Sequence, residues 1–124
     1  VEAMSLVRDA RVAAGTANMT KGPAMTREQA LTAIEHGVAM ANRLADRGVT
    51  VIGLGEMGIG NTTAASAIVA VLTGAAPREV TGRGTGVDDA GLAHKVAVIE
   101  RAIGVNKPSV NAPLDVLAAL GGFE

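Results

Sequence analysis

Apolar positions recur at helical spacing from Thr26 onward, and each run is closed by glycine or proline. The first such run follows Thr26-Arg27-Glu28-Gln29, a capping box with Thr26 as N-cap and Gln29 at the third helical position. It carries Ala30, Leu31, Ile34, Val38, Ala41 and Leu44 on one face, and Arg47 with Gly48 ends it. His36 falls on the polar side of that helix. A β-branched run at residues 49–54 then predicts a strand. A helix follows over residues 62–73, stopped by Gly74, and Pro77-Arg78-Glu79-Val80 forms a short helical turn with proline in first place. Asp88-Asp89 opens another helix with Leu92, Val96, Ile99 and Ile103 on its apolar side. Residues 104–113 read as a loop with two prolines, and Leu114 to Leu120 as a short helix closed by Gly121-Gly122. Before Thr26 the pattern is weak: irregular loop around residues 15–23, with room for a second strand within residues 1–13.

The organising stretch is VTVIGLGEMGIGNTTAA at residues 49–65, a strand, then Gly53, Gly55, Gly58 and Gly60, then a helix start at Asn61-Thr62-Thr63. Glycine admits positive φ and lets a ligand come close to the backbone. The first N–H groups of the helix, unpaired and at the positive end of its dipole, suit a phosphate. Thr81-Gly82-Arg83-Gly84-Thr85-Gly86 offers the same chemistry again, with a hydroxyl from Thr85 and a cation from Arg83. Two such loops ahead of two helix starts suggest one anion held from both sides. As turns alone they would be merely glycine-rich.

Gly53-x-Gly55-x-x-Gly58 has dinucleotide-binding spacing, but no second strand with an acidic end follows the helix. Glu56 inside the loop would also repel a pyrophosphate. That carboxylate either accepts backbone N–H bonds within the loop or faces a neutral or cationic ring. Asp88-Asp89 matches helix capping better than a magnesium site. His94 and Lys95 read as solvated helical residues on sequence alone.

Composition narrows the classes. Nearly half of the 124 residues are apolar but one alone, Phe123, is aromatic, beside sixteen glycines, so the core must be built from small side chains. A net charge of −1 without a basic block gives nucleic-acid binding no support. No cysteine is present, which excludes disulfides and fits a cytoplasmic protein. No apolar run reaches the roughly 18 residues of a membrane span. A start at Val1 and a stop just after a helix suggest a piece of something longer.

With GEMGIGNTTAASAI at 55–68, GRGTGVDDAGLAHK at 82–95 and PLDVLAALGGFE at 113–124, the chain resembles the nicotinate-nucleotide–dimethylbenzimidazole phosphoribosyltransferases, and GTANMTKGPAMTREQAL at 15–31 is similar to them too. The resemblance implies an α/β fold, part of a Rossmann-like parallel sheet with helices packed on it and helix-rich in this stretch. It places residues 1–124 in the large nucleotide-binding domain, without the small helical domain and the C-terminal catalytic segment. The implied reaction moves the phosphoribosyl group of nicotinate mononucleotide to a benzimidazole nitrogen, in a cytoplasmic homodimer, with no cofactor and no metal. By the same resemblance Glu56, Met57 and Gly58 stand where the base pocket meets the phosphoribosyl group. Gly58, Gly60, Asn61, Thr62, Gly84, Thr85 and Gly86 would cradle the 5′-phosphate. Lys95 matches a functional lysine and Glu124 the acid of a GGF-acid motif. The family's general-base glutamate lies outside this sequence, and Glu56 does not fill its place. Against this stand two other classes: a dinucleotide-binding dehydrogenase fragment, and a non-catalytic assembly domain.

Overall fold

The computed structural model describes residues 8–124. Among them five helices follow in order: α1 Arg27–Asp46, α2 Asn61–Thr73, α3 Pro77–Val80, α4 Asp89–Asn106 and α5 Pro113–Leu120. The helices α2, α4 and α5 pack on one another, α3 lies across α2 and α4, and α1 rests on α5. The centre holds Ala67, Ile99, Ala102, Val116, Ala119 and Leu120, with Met19, Ile68, Val71 and Ile103 around them. Ile99, Val116 and Leu120 are fully buried, and each contributes roughly 1.5–3 kcal/mol by leaving water. The alanines between them let the helices come close, which is how a chain with a single aromatic residue fills its core.

The helix limits follow local chemistry. Gln29 donates its N–H to Thr26 Oγ1 at 3.1 Å, and Thr26 donates its own to Gln29 Oε1 at 2.9 Å, so the expected capping box is formed. Beyond the α1 C-cap at Arg47, Gly48 takes φ +77°, a conformation that suits glycine. The expected apolar face of α1 is only partly covered: Ala30 is buried with Met25 and Ala118, while Leu31, Ile34 and Val38 stay exposed. His36, expected in solvent, instead brings Nδ1 to 2.7 Å from the Ala10 carbonyl oxygen. The first residue of α5 is Pro113, where its missing N–H costs nothing.

Two expectations need correction. The helix α4 does not stop at Ile103 but runs through Gly104 to Asn106. Asn106 donates its side-chain amide to Met19 O (2.8 Å) and Ala102 O (2.9 Å), and Lys107 closes the helix at φ +45°. These bonds anchor the end of the helix beyond the glycine. The larger correction concerns the strand at residues 49–54, which is irregular backbone here. Val51 is 82 % exposed and Leu54 97 %. An extended run becomes a strand by exchanging N–H and C=O groups with a neighbour, and no described residue supplies one. The second strand allowed within residues 1–13 is absent from residues 8–13, and residues 1–7 lie outside the described residues. No parallel sheet is therefore seen among the described residues; what is seen is a helical layer. None of their helices is long and apolar enough to cross a membrane.

Candidate functional site

The site begins at the N-terminus of α2. Gly60 is the N-cap at φ +86° and has no side chain to cap the helix, so Asn61 is the first helical residue rather than the cap. The first-turn N–H groups of α2 thus lack the side-chain acceptor that a Ser, Asp or Thr cap would supply. Positive partial charge collects there. Gly58, at φ +78°, turns the chain into this start.

The second glycine loop is shaped by its own backbone and by Arg83. The Arg83 carbonyl accepts N–H bonds from Gly86 and Val87, both at 3.2 Å. The Arg83 guanidinium donates to Val87 O at 3.0 Å through Nη1 and to the Asp89 carboxylate through Nη2. The Gly86 N–H, expected to face a ligand, is therefore committed to the turn. The loop ends at Asp88, which caps α4 by accepting the Gly91 N–H at 2.8 Å, as the acidic pair suggested.

Lys95 joins the two loops. From α4 its ammonium donates to Thr62 Oγ1 at 2.7 Å and to Gly82 O at 3.0 Å. The contact is close enough to restrict Gly84, at φ +60°: a Cβ there would lie 2.8 Å from Thr62 Oγ1 and 3.4 Å from Lys95 Nζ. A Cβ on Gly58 would lie 3.9 Å from the Thr85 methyl group. Between the loops is a cavity of about 360 Å³ whose lining includes Gly58, Gly60, Thr62, Gly84, Thr85 and Lys95. It offers an ammonium, hydroxyls and backbone amides, the donor set that a phosphate monoester takes.

The helix α4 shows one face to this cavity, through Gly91, His94, Lys95 and Val98. That is i, i+3, i+4, i+7 spacing. His94, read from sequence as a surface residue, is exposed yet belongs to the lining. The signal was available: taken from Gly91 rather than from Leu92, the same periodicity marks a second face of the helix.

Other expected residues lie further out. Glu56 is exposed and turns its carboxylate back to accept the Gly58 N–H, the loop-internal alternative of the two readings. Met57 is 82 % exposed. Neither lines the cavity, and neither does Asn61. Glu124 lines an adjacent cavity of about 540 Å³ with Gly122 and Phe123, and this space shares Gly60, Thr63 and Val98 with the first. The N-terminus of α2 thus stands between two cavities. A larger cavity, about 860 Å³, lies between residues 15–29 and 106–119 and touches neither glycine loop. Size is a poor guide here; donor chemistry selects the smaller space.

The family signature described as Phosphoribosyltransferase matches residues 1–124. A nicotinate-nucleotide–dimethylbenzimidazole phosphoribosyltransferase of Geotalea uraniireducens (strain Rf4) is 57% identical over 114 residues, 92% of this chain and 32% of that protein. One from Roseiflexus sp. (strain RS-1) is 57% identical over 110 residues, 89% of this chain and 31% of that protein. The crystal structure of CobT from Thermus thermophilus superposes with a TM-score of 0.83 at 44% identity, over 92% of this chain and 34% of that one. The chain spans about a third of the length of the curated relatives it matches. On the match along its whole length and on these relatives, the chain belongs to the phosphoribosyltransferase family.

Proposed function

We propose that these residues form the 5′-phosphate cradle of an enzyme that transfers the phosphoribosyl group of nicotinate mononucleotide to 5,6-dimethylbenzimidazole, giving α-ribazole 5′-phosphate and nicotinate. The observation that carries this is the junction at Lys95, where one ammonium meets Thr62 of the first loop and Gly82 of the second. Amides of Gly58, Gly60, Thr62, Gly84 and Thr85, with the Thr62 and Thr85 hydroxyls, surround the monoester; Asn61 adds its N–H to the positive end of α2 without lining the cavity, and Lys95 supplies the countercharge. Gly86 takes part by fixing the turn.

The phosphate is remote from the reacting bond, and holding it spends binding energy on positioning the anomeric carbon in line with the incoming nitrogen. The transition state is oxocarbenium-like, as in glycoside hydrolysis, so a nearby carboxylate lowers its energy. Glu56 serves in that electrostatic role once the bound phosphate competes for the Gly58 N–H and frees the acid. Removal of the benzimidazole proton falls to a glutamate outside this sequence. Met57 borders the base, and Glu124 faces the sugar from the adjoining cavity. In the complete enzyme, a cytoplasmic homodimer on the family resemblance, residues 49–54 form a strand of a Rossmann-like parallel sheet in the large domain. Their β-branched, exposed side chains support that reading.

Neither other class gains support. No strand with an acidic end follows α2, as a dinucleotide site requires, because α3 comes next. An assembly domain gives no reason for an ammonium to join two glycine loops.

The test is Gly84→Val in the full reading frame that contains these residues. The branched side chain meets Thr62 and Lys95, so affinity for nicotinate mononucleotide should fall while the fold persists. Unchanged affinity would remove the cradle.

A further inference from the structure

Arg83 is the obvious anion-binding side chain of the second loop and lines the cavity with Val87, yet its hydrogen bonds go to its own turn and to the start of α4. One guanidinium nitrogen donates to Val87 O at 3.0 Å and another to the Asp89 carboxylate, while the Arg83 carbonyl takes the Gly86 and Val87 N–H groups. Side chain and backbone of one residue thus close the same short turn. We infer that Arg83 is a positioning residue for nucleotide binding: paired with Asp89, it holds Gly84 and Thr85 with their amides toward the phosphate and does not itself take the phosphate. This rests on the cradle reading above.

Three observations carry it. The pair is exposed, with side-chain accessibilities of 52% for Arg83 and 91% for Asp89. An exposed ion pair contributes little to global stability, so fold stability is a poor account of it. Gly82, Gly84 and Gly86 flank and follow Arg83, giving the turn more conformational freedom than any other residues would. Such a segment presents amides in one arrangement only when something external fixes it. Finally, the Asp89 carboxylate neutralises the guanidinium next to the site, whereas Lys95 reaches the cavity with neutral oxygen partners. Lys95 keeps its charge for the ligand and Arg83 does not.

The two roles differ in sign at Asp89. If Arg83 bound the phosphate directly, Asp89→Asn would remove a nearby anion and leave nucleotide affinity equal or higher. If the pair positions the loop, Asp89→Asn loosens it and affinity falls. The experiment measures kcat and KM for nicotinate mononucleotide, with affinity by equilibrium titration, on the full reading frame. It compares the parent with Arg83→Met, Arg83→Lys, Asp89→Asn, the double variant Arg83→Met/Asp89→Asn, and Gly84→Val.

Each single loss should weaken nucleotide affinity roughly tenfold, with the double variant no weaker than either, as expected for two residues acting as one unit. Arg83→Lys should recover part of the loss, and KM should move more than kcat. Asp89→Asn at or above parent affinity, or additive losses in the double variant, overturns the inference while Gly84→Val still weakens binding. If Gly84→Val also leaves affinity unchanged, the cradle reading falls and this inference with it. Should Arg83→Met fail to fold, the near-isosteric Asp89→Asn and Arg83→Lys decide the sign.

Discussion

Lys95 shows how much one side chain does at this site. Its ammonium makes two hydrogen bonds that reach across 33 residues of chain to Thr62 and across 13 to Gly82. Replacing it by methionine keeps the stem and removes the charge and both bonds. Charge-assisted hydrogen bonds are worth about 1.5–3 kcal/mol each, so Lys95→Met should weaken nicotinate mononucleotide binding on the order of 10- to 100-fold, read by equilibrium titration. A loss below twofold would show that the ammonium serves the loops alone. Glu56→Gln separates another pair of roles. It keeps the acceptor for the Gly58 N–H and removes the charge, so turnover should fall more than affinity, and equal kcat values would take Glu56 out of the reaction. Periodicity gives Glu56 no signal, and it sets Lys95 on the second face of α4 without naming its partners. Lysine on a helix is ordinarily solvated, and the Lys95 contacts come from the packing of α4 against the start of α2, which no local pattern encodes.

At the scale of elements, the helices were readable because their signals are local. Thr26 with Gln29, Pro77 and Asp88 each mark a helix start through chemistry within four residues, and each start is found there; α5 begins one residue before the expected Leu114, at Pro113. The strand at 49–54 was not readable in the same way, since its formation depends on a partner elsewhere in the chain. Asn106 gave the same lesson on a smaller scale: its bond to Met19 O extends α4 past a glycine that by itself suggested an end. The packed centre makes its own prediction. Ile99 is fully buried in a centre that includes Ala67, Ala102 and Ala119, side chains too short to fill a gap, so Ile99→Ala should cost about 2–5 kcal/mol in denaturant unfolding. The capping of α1 has a pH signature. The Glu28 carboxyl is held below its usual range first by its own backbone N–H and then by the Thr26 hydroxyl. A carboxyl with a lowered folded-state pKa stabilises the fold at neutral pH and loses that effect as pH falls through the lowered value. Glu28→Gln should therefore lower the melting temperature near neutrality, with the gap to the parent closing in acid.

For the whole molecule, the exposed apolar residues point one way. Val51, Leu54, Met57 and Ile59 in the first loop, with Leu31, Ile34 and Val38 on α1, are side chains that folded proteins ordinarily bury. In the full reading frame, residues 49–54 should gain strand protection in amide hydrogen exchange, and equally fast exchange there would argue against the sheet. On the proposed reading the phosphate cradle lies within these residues and the general base outside them, so residues 1–124 expressed alone should show no transferase turnover. The family was legible in the long motifs at 55–68 and 82–95, far more than in their glycines. The position of Glu56 relative to the reacting sugar was not, because a side chain in an exposed loop takes its direction from neighbours and ligand.

The central claim is that both glycine loops hold one and the same phosphate. Backbone amide shifts followed during titration of the full reading frame with nicotinate mononucleotide test it most directly. The amides of Gly58, Gly60, Asn61 and Thr62 should move together with those of Gly84 and Thr85, at a common half-saturation, and Lys95→Met should displace both sets to higher ligand concentration. Movement of one loop without the other, or two different half-saturations, would contradict it.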